Sequence, residues 1–162
     1  IVVSTKVDGI EIQWKNVSKT IDPPSGNVDK LKDAGIITES GTASVPNKGF
    51  NSFKDLKAEL GSPGEGNAWH HIVEQSQIGK SGFSSNEVNN INNIIAIPHG
   101  KGTVHAKISG YYSSKQFFTG GQTVRQWLTG QSFQEQFDFG IDLLKQYGTV
   151  TPTDNGWIFT PF

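Results

Sequence analysis

The first fourteen residues, IVVSTKVDGIEIQW, alternate apolar and polar positions on either side of Asp8-Gly9. Two strand-like runs around an Asp-Gly pair predict a β-hairpin. Residues 15–50 are rich in Gly, Pro, Ser and Asn with weak periodicity, and predict loop with one short helix near residues 28–34. Residues 51–60 predict a helix with an Asn/Ser cap and Gly61 at its end. After a turn-rich link, residues 69–73 form a short apolar run around two histidines and predict a strand. A helix capped by Ser84 or Ser85 is expected over 84–92, and a strand over 93–97 stopped by Pro98. Thr103 can cap a helix through His105 to about Tyr112, weakened by Gly110, and residues 123–128 predict another short helix. Ser132 and Glu135 form a capping box that opens a further helix. Phe133, Phe137, Ile141 and Leu144 then share one face, and Gly148 is expected to end it. Asn155-Gly156 suggests a closing turn or hairpin. No internal repeat or low-complexity tract interrupts this order.

The chain therefore divides into an N-terminal hairpin and loop-rich segment packed on the core (1–49), a core (50–148) and a C-terminal tail or turn (149–162). Its 162 residues fit one domain. It is lean in apolar residues, at 34 %, and holds 19 glycines. The absence of cysteine excludes disulfides, thiolate catalysis and Cys-ligated zinc. Methionine is also absent and the chain begins Ile-Val-Val, as expected of a piece cut from something longer. Nothing resembles a signal peptide or a spanning helix, so export requires a larger parent. The net charge of −1 argues neither for nor against a polyanionic partner. From Gln75 to Gln134, however, Glu87 is the only acid, against Lys80, Lys101, Lys107, Lys115 and Arg125. That local excess of base is a weak pointer to phosphate, and an uneven surface explains it equally well.

The four histidines, His70, His71, His99 and His105, all fall in one short part of the chain. Histidine both titrates near neutrality and binds metals, so this clustering is informative. Adjacent strand residues point to opposite faces, so a His-His pair can split duties: one ring binds metal while its neighbour faces the substrate. The alternative is that one of the pair is a satisfied core histidine. Glu74, three residues beyond His71, belongs to the opposite face by the same alternation and reads as structural support.

The order of a strand with His70-His71, a connection, a strand from Asn93 and a helix with His105 carries a family resemblance. AWHHIVEQSQIGKSGF, NNIIAIP and VHAKISGYY resemble the HNH/endonuclease VII (His-Me finger) superfamily of nucleases. The longer pattern WHHIVEQ, KSGF, NNIIA, HAKISGYYSS, VRQWL and QSF is similar to C-terminal toxin domains of bacterial polymorphic toxins, carried by RHS-repeat, haemagglutinin-like (CDI) or LXG-type delivery proteins. The resemblance covers residues 50–148 and implies that this segment is an HNH-like nuclease core. It implies an α+β fold with a ββα-metal core, additional helices and the N-terminal β-hairpin. It implies one divalent metal ion, Mg²⁺ favoured and Zn²⁺ or Ni²⁺ also compatible with imidazole ligands. By the same resemblance His71 is the general base, His70 and His105 are metal ligands, and Asn93 fixes the hairpin and helps orient the base. Ser109 stands where some members place a further histidine. His99 is open to three readings: a third ligand, a substrate contact or an ordinary loop residue. Lys101, Lys107 and Lys115 are candidate phosphate contacts, each also readable as a solvated lysine. Arg125 can clamp a phosphate, and Tyr112 can stack on a base or pack against the hairpin. Trp127, Phe133 and Phe137 are assigned to the core.

The expected function is a toxin endonuclease, with DNA favoured over RNA. The resemblance implies delivery as part of a larger secreted toxin, action in the target-cell cytoplasm, and an acidic immunity protein matching residues 80–125. No membrane association is expected of the domain itself. Two alternatives stay open. One is a metal-independent ribonuclease in which the ribose 2′-OH is the nucleophile and His71 and His105 are base and acid. The other is a non-catalytic, metal-stabilised binding module, although a closed structural zinc site normally needs four protein ligands. A metal hydrolase on another substrate lacks HExxH or a nucleophile elbow here.

Overall fold

The computed structural model describes the backbone of residues 2–7 and 10–15 and the whole of residues 44–162. The first two segments are strands β1 (Val2–Val7) and β2 (Ile10–Lys15), paired antiparallel with Val7 opposite Ile10. The expected Asp8-Gly9 turn, the helix at 28–34 and the packing of most of residues 1–49 lie outside the described residues.

From residue 44 onward the fold is α+β. Helix α1 (Phe53–Leu60) is followed by β3 (Asn67–His71), α2 (Ser85–Val88) and β4 (Ile94–Pro98). Then come α3 (Val104–Ser113), α4 (Val124–Leu128) and α5 (Phe133–Leu144), and finally β5 (Gly148–Thr153) and β6 (Gly156–Pro161). Four strands make one sheet in the order β3-β4-β6-β5. β3 and β4 run antiparallel with His70 opposite Ile95 and His71 opposite Ile94. β6 joins β4 in parallel at Ile95 and Trp157, and β5 pairs antiparallel with β6. Residues 149–162, read above as a tail or turn, thus widen the sheet. A short hairpin is legible from its Asn-Gly turn, but pairing with a strand some sixty residues away leaves no local trace.

Side-chain caps set most helix starts. Ser52 accepts from Asp55 N–H at α1, and Ser84 with Glu87, Thr123 with Gln126 and Ser132 with Glu135 form full capping boxes. Thr103 stands at the N-cap of α3, but its hydroxyl donates to Gly100 O at 2.7 Å instead of capping the helix. The helix expected over 84–92 stops at Val88, because Asn89 and Asn90 leave helical geometry and a 3-10 turn (Ile91–Asn93) leads into β4. Gly148 does not end α5, whose last helical residue is Leu144. It opens β5, where a β-carbon would meet the ring of Phe159 at 2.6 Å.

The main core gathers Ile108, Tyr111 and Tyr112 of α3, Val124 and Leu128 of α4, Phe137, Phe139, Ile141, Leu143 and Leu144 of α5, and Ile72, Val73, Ile95, Ile97 and Trp157 from the sheet side. Phe133 and Trp127 are partly buried against it. A smaller cluster of Leu56, Ile91 and Ile94 seats α1 on the far side of β4. α5 comes so close to the chain beyond β3 that a β-carbon at Gly140 would lie 2.6 Å from Ile72 O. Gly140→Ala is therefore expected to destabilise by about 1–3 kcal/mol, the usual penalty for overpacking. Urea denaturation checks this, and an unchanged midpoint would show that the helix can retreat without loss.

Candidate active site

β3, backed by β4, carries the histidine pair, and residues of β3, the turn after it, α1, α3 and α4 line a cleft of about 550 Å³. Its walls include His70, His71, Glu74, His105, Tyr112 and Arg125, with Phe53, Trp69 and Ser109 beside them. On α3 the residues His105, Ser109 and Tyr112 follow at intervals of four and three, so one helix face lines the cleft.

The two rings of the pair diverge as strand alternation requires, although both border the cleft. The His70 ring turns to α3, where its centroid lies 5.7 Å from that of His105, edge to face. Its Nε2 is sealed from solvent and has no hydrogen-bond partner. The His71 ring turns to α1, with Phe53 at 4.6 Å, and is 7 % exposed. His71 Nε2 lies 3.0 Å from Asn89 Oδ1. An amide oxygen can only accept, so Nε2 carries the proton and Nδ1 keeps its lone pair.

Burial and the neighbouring His105 and His71 lower the pKa of His70 to about 3. Burial likewise lowers that of His71 to about 4, against a raising contribution from Asn89. His105 is lowered by burial and by His99, whose ring lies 5.0 Å away. Both members of the pair are neutral imidazoles at pH 7, the form that accepts a proton or ligates a metal.

Asn93 makes no hydrogen bond to His71 and does not line the cleft. It is wholly buried, its Oδ1 accepts from Val73 N–H at 2.8 Å, and its Nδ2 donates to Val73 O at 3.0 Å and Val88 O at 2.9 Å. The asparagine at the ring is Asn89, in the same run NEVNNINN. Several asparagines within five residues signal a polar hub, but spacing does not say which one reaches the histidine. Glu74 also departs from its expected place. β3 ends at His71, the alternation stops there, and the chain turns Glu74 back into the cleft. There it holds Arg125, with Nε at 3.0 and 2.8 Å from the two carboxylate oxygens and Nη2 at 2.7 Å. Tyr112 lines the cleft and is buried, and its pKa is raised by burial and by Glu74. His99 is exposed. Lys101, Lys107 and Lys115 are exposed and none lines the cleft; Lys107 Nζ lies over the ring of Tyr147 at 5.7 Å.

Among the described residues, no group of three or more His, Cys, Asp or Glu side chains converges on one point. Compared with known protein-family models, curated proteins and solved structures, the chain matches none.

Two predictions follow from the geometry. Because folding lowers the pKa of His70 and His71 from 6.5, the unfolded chain binds more protons below pH 6.5. Their contribution to stability is complete above that pH and is lost as pH falls towards 4 and then 3. Urea denaturation in EDTA should show a loss of roughly 2 kcal/mol per group between pH 7.5 and 5, at about 1.4 kcal/mol for each pKa unit. His71→Gln should flatten the profile, and equal stability of the wild type at both pH values contradicts the burial argument. Asn93→Ala leaves three buried backbone groups without partners, at about 1–3 kcal/mol each. It should lower the thermal midpoint by far more than an exposed substitution such as Lys101→Ala, and parity between the two would remove Asn93 from the framework.

Proposed function

We propose that this domain is an endonuclease that hydrolyses phosphodiester bonds of nucleic acid, with DNA the favoured substrate. The observation that carries the reading is the meeting of His70 and His71 of β3 with His105 of α3 in one cleft that also holds an arginine. Neutral imidazoles supply the base, and the guanidinium supplies donors for phosphate oxygen. The antiparallel β3–β4 pair followed by α3 is the arrangement expected of a ββα finger, which supports the His-Me finger assignment.

In this reading His71 acts as the general base. Its Nδ1 takes a proton from the attacking water, while Nε2–H stays on Asn89 Oδ1 and keeps the ring aimed. Bound phosphate brings negative charge beside the ring, which raises its low pKa towards the working range. The edge of Phe53 and the burial of the ring limit its rotation. His70 and His105 fit a divalent metal as ligands, since the His70 ring is neutral at pH 7 and its buried Nε2 is otherwise unpartnered. Such an ion supplies charge stabilisation at the scissile phosphate and leaving oxygen. Two imidazoles leave the coordination open to water and phosphate, which suits Mg²⁺.

The same lack of a three-donor group favours a second reading. A metal-independent ribonuclease would use His71 to deprotonate the ribose 2′-OH and His105 to protonate the leaving oxygen. Either chemistry is consistent with a toxin domain, delivered into a target cell and neutralised in the producer by an immunity protein.

Incubation with plasmid and with total RNA, each with Mg²⁺, Zn²⁺ or EDTA, decides between them. Plasmid cleavage abolished by EDTA is the expected result. RNA cleavage that persists in EDTA selects the second reading, and no cleavage of either substrate in any condition rejects both. His71→Ala should lose on the order of 10²–10⁴ in rate and keep metal affinity. His105→Ala should lose metal affinity, with activity partly restored at high metal concentration. Calorimetry beside nuclease rates on the same preparations checks the pair, and the opposite pattern would exchange their roles.

A further inference from the structure

The proposed function gives the Arg125 guanidinium a phosphate oxygen without saying which phosphate, and the Glu74–Arg125 pair bears on that choice. Arg125 is seated from several sides. Glu74 takes its Nε and Nη2, and Nη1 donates to Ser113 Oγ at 3.0 Å. Its own backbone oxygen accepts from Gln77 Nε2 and Thr129 Oγ1, both at 3.2 Å. A guanidinium has five N–H donors, and these contacts use three. Two remain without a partner among the described residues, on a group that lines the cleft. An arginine needed only to tie α4 to the end of β3 would be satisfied by the carboxylate alone. One held rigid on two edges, with donors left over, is prepared for a further planar or tetrahedral oxyanion.

Its position says which oxyanion. Ser113 and His105 are eight residues apart on α3, which is about 12 Å along a helix that rises 1.5 Å per residue. The guanidinium is thus seated at the Ser113 end of α3, about two turns along from the backbone of His105. Consecutive nucleotides of a stacked strand advance only about 3.4 Å along the axis, so neighbouring phosphates fall within this span. We infer that Arg125, seated by Glu74 and Ser113, receives a backbone phosphate flanking the one that is cut. The substrate is then a polymer with at least two consecutive phosphates on one strand, rather than a mononucleotide or an isolated phosphodiester. Because the Glu74 carboxylate offsets the guanidinium charge, the clamp acts through directed donors and fixes the register of the strand over His71. This inference rests on the nuclease reading for its substrate class.

The test measures binding of deoxythymidine oligomers in EDTA, where DNA is cut by neither proposed route. NMR titration compares the dimer, with one phosphodiester, and the tetramer, with three. The wild type should bind the tetramer about tenfold more tightly than the dimer. Arg125→Ala should keep less than a threefold gain. Arg125→Lys, which retains charge but not the fork, should recover at most part of it. Ser113→Ala, at an exposed position, should lose part of the gain with an unchanged thermal midpoint. On cleavable polymer, Arg125→Ala should raise KM more than it lowers kcat. A full tenfold gain in Arg125→Ala overturns the clamp even if the protein cuts nucleic acid. The expected length dependence in a protein that cuts nothing supports the clamp and rejects the nuclease reading.

Discussion

The cleft depends on one carboxamide. Where β3 ends at His71, the chain must leave the sheet and still deliver Glu74 to the cleft. Asn93 makes that turn definite. Its side chain pairs with both backbone groups of Val73, and its own carbonyl accepts from Ile72 N–H at 2.9 Å. It thereby extends the β3–β4 ladder by two residues beyond the last strand pair, with a side chain standing in for backbone. The donation to Val88 O fixes the end of α2 to the same point, so that Asn89, the next residue, sits at His71. Such a network is worth most when every member is satisfied, and here the Asn93 amide oxygen and nitrogen both have buried partners.

The neighbouring asparagines divide the remaining work. Asn90 Oδ1 accepts from Lys48 N–H and Asn92 N–H, and its Nδ2 donates to Asn47 Oδ1, so residues 47–50 are tied to the loop ahead of β4. The carbonyl of Asn92 accepts from Trp157 Nε1 at 2.8 Å, which links the C-terminal hairpin to the same segment. One polar run thus joins α1's approach, the histidine strand and the added strand β6. The rigidity lies in the frame around the cleft. His70 Nε2 is buried without a partner, a cost of about 1–3 kcal/mol that a merely structural histidine would have been expected to shed.

Local chemistry made much of this legible in advance. Ser52, Ser84, Thr123 and Ser132 announce helices because a cap and its partner lie within three residues. Asn155-Gly156 announces its hairpin for the same reason. The order His70-His71, then β4, then His105 was readable because each element is short and strongly patterned. What stayed hidden is non-local. β6 pairs with β4 as well as with its hairpin partner β5, Asn89 rather than Asn93 reaches His71, and Glu74 meets Arg125 fifty-one residues on. The alternation rule failed at Glu74 because it holds only inside a strand, and the strand ends three residues earlier.

The charge distribution bears on how the polyanion of the proposed function would be held. The lysines that make residues 80–125 basic in sequence stand outside the cleft, and inside it the one guanidinium is matched by one carboxylate. The buried histidines add no charge at neutral pH. The interior therefore exerts little long-range pull on phosphate, and attraction at a distance falls to Lys101, Lys107 and Lys115 on the exposed surface, where salt screens it. Discrimination inside must come from directed donors and lone pairs at fixed positions. A neutral interior also avoids repulsion between like charges, which lets the His70 and His105 rings stand edge to face at 5.7 Å. Under the proposed function the electrostatic work is deferred until the anion binds, and the residues that would then respond are the ones Asn93 and Glu74 already hold in place.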